Sequence, residues 1–163
     1  KIFPDRQWER KTSLSYGLFI WFGLSLYWFS PYIIISGNSI IPFSIPMYPI
    51  YIFFCITLYV LGVFLHFTSD MQKYIYLKLN PGNLMTDGMF KKIRNTNYLG
   101  ELLIYLGFSL LALDWTPIIA LLIFIFIIWI PNMLKKDKSL SRYKEFDDYK
   151  SKTKRFLPFI WLI

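Results

Sequence analysis

The stretch MYPIYIFFCITLYVLGVFLHF, residues 47–67, decides the fold of this chain. It contains no Lys, Arg, Asp or Glu, and the single histidine of the chain, His66, stands at its far end. A helix needs about 20 predominantly apolar residues to cross the hydrocarbon core of a bilayer. We therefore predict that this stretch is a membrane-spanning helix.

Three further blocks have the same character. Residues 14–35 and 117–134 carry no charged side chain, and residues 97–113 carry only Glu101. The run Asp114-Trp115-Thr116-Pro117 predicts a tight turn between the last two blocks, because Asp and Pro are typical of helix starts. The pattern predicts an all-α integral membrane bundle of about four transmembrane helices, which forms a single membrane domain over residues 1–163.

Composition agrees with this prediction. The chain is 55% hydrophobic and only 17% charged, whereas soluble domains average about 25% charged residues. The Lys and Arg residues occur only in the N-terminal arm, in the loop after the second block and in the C-terminal tail. An even number of spans places these three segments, and hence both termini, on one side of the membrane, as the positive-inside bias requires.

The net charge of +8 does not indicate a nucleic-acid partner, because basic flanks of membrane helices account for it and no nucleic-acid-binding motif is present. Cys55 is the only cysteine and His66 the only histidine. This composition predicts neither a disulfide framework nor a metal site.

Polar residues are concentrated where the second and third blocks approach the basic side. His66 and Asp70 end one block, and Arg94, Asn97 and Glu101 begin the other. If the latter segment is helical, its three polar side chains share a face. A carboxylate inside a span costs roughly 2.5 to 3.5 kcal/mol on insertion scales, so Glu101 is expected to face a partner or a wet cavity. The alternative for Glu101 is a hydrated first-turn position that the helix dipole favours.

Two motifs carry a family resemblance. The run Arg94-x-x-Asn97-Tyr98-Leu99-Gly100-Glu101 follows Ser69-Asp70 and Gly88-x-Phe90, and the tail contains Phe146-Asp147-Asp148-Tyr149 and Pro158-Phe159-Ile160. Residues 66–160 thus resemble the C-terminal domain of the steroid 5-alpha-reductase family. A related helical core occurs in sterol reductases and in isoprenylcysteine carboxyl methyltransferases.

The resemblance implies a nicotinamide dinucleotide site on the basic side of the membrane. Asp70, Asn97 and Glu101 match residues that line this site in the family, and His66 stands where the family has an Asn. Asp137 matches the Asp of an Arg-Asp pair in the sterol reductases. The residues that the resemblance implies for cofactor binding are His66, Asp70, Arg94, Asn97, Glu101, Lys135, Lys136 and Asp137.

The activity that the resemblance implies is NADPH-dependent reduction of a double bond conjugated to a carbonyl, in a sterol-like or acyl lipid. Glu101 and Tyr98 are the expected catalytic residues, with Tyr105 as a second candidate for polarising the carbonyl. The chain departs from the family at Thr96, where a Pro is frequent, and at Asn132, near which an Arg and a His are expected.

Two alternatives remain open at this stage. One is transfer of a methyl group from S-adenosylmethionine to a lipid or a prenylated cysteine, and the other is a non-catalytic subunit of a larger membrane complex, such as a respiratory chain assembly. The expected partners are membrane lipids and a lipid-like substrate, with other subunits if the last reading holds. The endoplasmic reticulum and the mitochondrial inner membrane are equally compatible with the sequence.

Overall fold

A computed structural model of the chain describes residues 11–46 and 48–158. The basic residues Lys1, Arg6 and Arg10 of the arm and the Phe159-Ile160 part of the tail motif lie outside the described residues. The α-helices are α1 (Leu14–Ser25), α2 (Phe29–Ser36), α3 (Pro49–Leu79), α4 (Thr96–Leu111), α5 (Trp115–Phe124), α6 (Ile130–Leu140) and α7 (Phe146–Lys152).

Three helical segments are long and apolar enough to cross a membrane. They are Leu14–Ser36, Pro49–Leu79 and Trp115–Leu140, where a 3-10 turn joins α1 to α2 and a π-turn joins α5 to α6. The most apolar window of each of the first two segments is only 11% buried inside the protein. Such surfaces suit lipid as solvent, so the predicted all-α membrane bundle is confirmed.

Helix α4 is the fourth member of the bundle, but it is shorter than the predicted block. Its 16 residues span about 24 Å at 1.5 Å per residue, less than the roughly 30 Å of a bilayer core. Small residues form its contact with the long helix α3. Cys55, Gly62 and Ser69 are the buried residues of α3, and their spacing of seven places them on one face.

The contact between α3 and α4 is closest at Gly62 and Gly100. A Cβ atom built on Gly100 would lie 2.5 Å from the backbone nitrogen of His66 and 2.8 Å from the carbonyl oxygen of Gly62. A Cβ atom on Gly62 would lie 2.7 Å from the carbonyl oxygen of Gly100. Small residues permit such backbone approach between helices in lipid, where the hydrophobic effect gives no preference for association.

At one end of the bundle, Asp114 joins two loops. Its carboxylate caps α5 by accepting from the backbone N–H of Thr116 at 2.7 Å, and it also accepts from Ser39 Oγ at 2.5 Å and from the N–H groups of Ile40 and Ile41 at 2.7 and 2.9 Å. Burial alone raises the pKa of Asp114, but these hydrogen bonds outweigh burial and hold the pKa below its usual range. The predicted helical hairpin at Asp114 is therefore confirmed.

At the other end, the loop before α4 meets the C-terminal tail. Arg94 N donates to the carbonyl oxygen of Lys154 at 2.8 Å, and Lys154 N donates to that of Lys92 at 2.8 Å. The hydroxyl of Tyr149 in α7 donates to the carbonyl oxygen of Phe90 at 2.7 Å. The middle basic loop and the basic tail thus lie at the same end of the bundle, as the charge pattern predicts.

We expect Gly100→Ala to lower the free energy of unfolding by about 1 to 3 kcal/mol, because the added methyl group meets the backbone of α3 rather than a flexible side chain. The matched control is Gly17→Ala in α1, since a Cβ atom there meets nothing within 4 Å. Thermal unfolding in detergent measures both variants, and the control should melt at or slightly above the wild type. A Gly100→Ala protein as stable as the control would contradict the close contact.

Candidate functional site

The α3–α4 contact brings together four of the polar residues expected from the sequence. The imidazole Nδ1 of His66 lies 3.8 Å from Glu101 Oε1, and its Nε2 lies 3.8 Å from Asp70 Oδ2. Asn97 stands one turn before Glu101 on α4. The side chains of His66, Asp70 and Glu101 are 22%, 32% and 28% exposed, so the cluster is enclosed by the helices but still open on one side.

The backbone of α4 fixes the His66 ring. Nδ1 lies 3.3 Å from the carbonyl oxygen of Asn97. A carbonyl oxygen only accepts, so Nδ1 carries a proton and donates it in this contact. The other ring nitrogen, Nε2, faces Asp70, but the 3.8 Å between Nε2 and Oδ2 is too long for a direct hydrogen bond. The imidazole stands between two carboxylates with its orientation set.

The side-chain amide of Asn97 is incompletely paired. Its Oδ1 atom is buried and has no hydrogen-bond partner among the described residues. A buried polar group left unpaired costs about 1 to 3 kcal/mol, and such atoms are rare in folded proteins. The buried amide oxygen therefore has unused capacity to accept a hydrogen bond.

Lys136 places a cation beside this cluster. Its Nζ donates to the carbonyl oxygen of Arg94 at 3.0 Å and to Asn95 Oδ1 at 2.9 Å. It also lies close enough to Asp70 and Lys73 to interact with them electrostatically. Lys135, the neighbouring candidate, is exposed at the end of the last membrane segment.

Arg94 is not part of the cluster, and the expectation that it shares a face with Asn97 and Glu101 is wrong. Helix α4 begins at Thr96, so Arg94 precedes the helix and its side chain points elsewhere. Its guanidinium donates to both carboxylate oxygens of Asp137, at 3.3 and 3.1 Å, and to the carbonyl oxygen of Thr153 at 2.8 Å.

Asp137 belongs to the same buried group. Its Oδ2 also accepts from Arg155 Nε at 3.0 Å, and the side chains of Arg94, Asp137 and Arg155 are 4%, 8% and 10% exposed. Because the Asp137 carboxylate binds a guanidinium group from the loop and another from the tail, it links these two segments. The structure therefore places Arg94 and Asp137, both expected at the cofactor, in an ion cluster that fastens the tail.

The two tyrosines of α4 are seven residues apart on one face of the helix, and both pack against Trp129. Tyr98, expected to be catalytic, interacts with the side chain of Asn132 and packs 5.5 Å from the Trp129 ring. Tyr105, one turn after Glu101, stacks on Tyr27 of the first membrane segment with ring centroids 4.1 Å apart and planes 5° apart. Sequence reasoning missed Tyr27 and Trp129, because no local pattern distinguishes them from other aromatic residues of the spans.

A cavity of about 250 Å³ adjoins the Tyr27–Tyr105 pair. Its walls come from all three membrane segments and from α4, and apart from five tyrosine and serine side chains they are apolar. The sequence gives no sign of this cavity, since its lining residues are brought together only by tertiary packing.

The architecture and the polar cluster define a helical membrane protein with one partly enclosed polar site against an apolar cavity. A family model described as 3-oxo-5-alpha-steroid 4-dehydrogenase matches residues 16–161. The match covers most of the chain, and the protein belongs to this family. No curated protein and no solved structure matches the chain.

We expect Arg94→Ala to lower the free energy of unfolding by about 3 to 5 kcal/mol, because it breaks a buried, hydrogen-bonded ion pair. The matched control is Lys152→Ala, which removes an ion pair with Asp148 whose two side chains are each 68% exposed and should cost less than about 1 kcal/mol. Thermal unfolding in detergent compares the two. If Arg94→Ala kept wild-type stability and lost only ligand binding, Arg94 would be a ligand contact and not a tail fastener.

Proposed function

We propose that this protein is a membrane-embedded reductase that uses NADPH to reduce a carbon–carbon double bond conjugated to a carbonyl group in a lipid. The observation that carries the proposal is the buried, unpartnered Oδ1 of Asn97, whose backbone carbonyl oxygen contacts His66 within the cluster that also holds Glu101. Membership in the 3-oxo-5-alpha-steroid 4-dehydrogenase family supports the reaction class.

The residues of the cluster fit a nicotinamide ring. The carboxamide of nicotinamide carries two N–H donors, and the buried Asn97 Oδ1 is an acceptor without a partner. Glu101, whose Oε1 lies 3.8 Å from the His66 ring, adds a further acceptor to the cluster. Charge-assisted hydrogen bonds of this kind are about twice as strong as neutral ones.

Lysines near the cluster would contact the phosphate groups of the cofactor. Lys136 borders the cluster on the side of Asp70, and Lys73 is close enough to Lys136 to interact with it electrostatically. Lys135 is exposed next to Lys136. Because Arg94 is bound to Asp137 and the tail, the phosphate contacts fall to the three lysines.

The bound cofactor supplies a hydride, which together with one proton saturates the double bond and leaves an oxidised dinucleotide. The chain contributes orientation and charge. Asn97 and Glu101 hold the ring end, and the enclosed setting of the cluster strengthens each electrostatic contact relative to water. Catalysis of this type depends mainly on positioning two bound molecules against each other.

We expect Asn97→Ala and Glu101→Gln each to weaken NADPH binding by about ten- to hundred-fold, or roughly 1.4 to 2.7 kcal/mol. Since Asn97 Oδ1 makes no internal hydrogen bond, Asn97→Ala should leave the melting temperature of the cofactor-free protein unchanged. Glu145→Gln, an exposed carboxylate of the tail, is the matched control and should bind like the wild type. Titration calorimetry in detergent measures the affinities.

The same titration with S-adenosylmethionine tests the methyltransferase alternative. Wild-type protein that bound S-adenosylmethionine and not NADPH would replace the reductase by a methyltransferase. Binding of neither ligand up to about a millimolar, which corresponds to only about 4 kcal/mol, would contradict both enzyme functions and leave the accessory subunit.

A further inference from the structure

The two ring nitrogens of His66 face different partners. Nδ1 donates to the carbonyl oxygen of Asn97 at 3.3 Å and lies 3.8 Å from Glu101 Oε1, and Nε2 lies 3.8 Å from Asp70 Oδ2. In a neutral imidazole one nitrogen carries a proton and the other has a lone pair. Because Nδ1 carries the proton here, a neutral ring would direct the lone pair of Nε2 toward a carboxylate.

A second proton on the imidazole removes this conflict. Two acceptors that face each other repel, whereas a proton on Nε2 gives the ring a positive charge that attracts both carboxylates. Asp70 lies on α3 and Glu101 on α4, so a cationic ring neutralises charge across the contact of the two helices. All three side chains are partly buried, and water therefore screens their attraction less than it does at an open surface. The geometry favours the imidazolium form of His66.

The other charged and titratable groups near the cluster do not replace this cation. They are Lys73 on α3, Tyr98 on α4, Lys136 and Asp137 on α6, and Arg94 in the loop before α4. Lys136 Nζ donates to the carbonyl oxygen of Arg94 and to Asn95 Oδ1, and Asp137 pairs with Arg94 at 3.1 Å. With both carboxylates of the cluster ionised, one proton on Nε2 therefore halves the negative charge that they present.

The charge of the cluster matters for a nicotinamide ring, because the ring changes its own charge in the reaction. The reduced ring is neutral, whereas the oxidised ring that remains after hydride transfer is a cation. The phosphate groups are the same in both forms, so contacts with lysine side chains do not distinguish them. A positive charge at His66 opposes the oxidised ring selectively, and the carboxylates of Asp70 and Glu101 favour it.

We propose that His66 bridges Asp70 and Glu101 as a cation, with a proton on each ring nitrogen, and that its charge makes the cofactor site prefer the reduced dinucleotide over the oxidised one. The assignment rests on the proposed reductase function, because that function places the nicotinamide ring at this cluster. His66 is then a specificity-determining residue that acts through its charge. It weakens binding of the spent cofactor and so assists exchange for the reduced form.

The first test measures the protonation of His66 without any cofactor. His66 is the only histidine of the chain, so nitrogen NMR of isotope-labelled histidine reports on this residue alone in full-length protein purified without a histidine tag. At neutral pH the wild type should show a proton on both ring nitrogens. Asp70→Asn, which removes the carboxylate that Nε2 faces, should reduce the doubly protonated fraction.

The second test compares the dissociation constants of NADPH and NADP⁺, measured by titration calorimetry in detergent. Their ratio isolates the charge of the nicotinamide ring, because both forms carry the same phosphate groups. His66→Gln should tighten NADP⁺ relative to NADPH by about three- to tenfold. Asp70→Asn removes a negative charge instead and should shift the ratio in the opposite direction.

The pH dependence of the same ratio provides a readout that needs no substitution. Raising the pH from about 6 to about 9 removes the Nε2 proton and should move the wild-type ratio in the same direction as His66→Gln does. The ratio of His66→Gln itself should not follow the pH. Thermal unfolding checks that each variant is folded, and if His66→Gln does not fold, the wild-type pH profile and Asp70→Asn still decide the question.

The matched control is Lys78→Gln, which removes a cation from the same helix. Lys78 follows His66 by three turns of α3, about 18 Å at 1.5 Å per residue, and its Nζ lies over the Tyr74 ring at 6.0 Å. That separation exceeds the Debye length of about 8 to 10 Å in physiological salt. Lys78→Gln should therefore keep the wild-type ratio.

The inference is overturned if the wild-type ring carries a proton on Nδ1 alone at neutral pH, if His66→Gln leaves the ratio unchanged, or if Lys78→Gln shifts it as strongly. Its failure is distinguishable from failure of the reductase function. NADPH binding that depends on Asn97, with a ratio that is indifferent to His66, would refute this inference alone. Wild-type protein that binds neither form of the dinucleotide would refute the reductase and the cofactor preference together.

Discussion

The close contact of two glycines, Gly62 on α3 and Gly100 on α4, is the constraint on which the rest of the structure depends. Their positions leave no room for a side chain between the helices. Gly100 lies against the backbone of His66, and two nearby residues of α4 therefore approach the imidazole. The carbonyl oxygen of Asn97, three residues before Gly100, lies 3.3 Å from Nδ1, and Oε1 of Glu101, the residue after Gly100, lies 3.8 Å from it. A larger interhelical distance would expose each of these polar groups to lipid separately. The contact thus lowers the energetic cost of a polar cluster inside a membrane protein.

A second cluster of charges fixes the boundary of the site. Asp137 with Arg94 and Arg155 fastens the tail to the loop before α4, and almost the whole of each side chain is buried. Buried charges carry a large desolvation cost, which good geometry and complete hydrogen bonding offset. This joint also places Lys136, one residue before Asp137, with its Nζ on the carbonyl oxygen of Arg94. The cation beside the polar cluster is therefore held by the loop and tail contacts that close this end of the bundle.

The sequence alone predicts the membrane bundle and the proximity of Asp70, Asn97 and Glu101, for identifiable reasons. Long uncharged runs reveal the spans, and Asp114 with Pro117 reveals the turn, because lipid burial and helix capping act locally. Glu101 stands out because a carboxylate within an apolar run is costly, and His66 stands out as a polar residue at the end of such a run. The sequence places Arg94 wrongly, because it predicts that the helix already includes this residue. The helix begins only at Thr96, so the Arg94 side chain points to the tail, which is distant in sequence. Tyr27 and the cavity depend on packing of separate segments and have no local signature.

The most direct test of this account is an experimental structure of the protein in detergent or nanodiscs with NADPH added. The account predicts density for the nicotinamide carboxamide within hydrogen-bonding distance of Asn97 Oδ1, beside His66, with α3 and α4 in backbone contact at Gly62 and Gly100. A dinucleotide bound elsewhere, or α3 and α4 separated at those glycines, would contradict the central claim that this helix contact builds the proposed cofactor site.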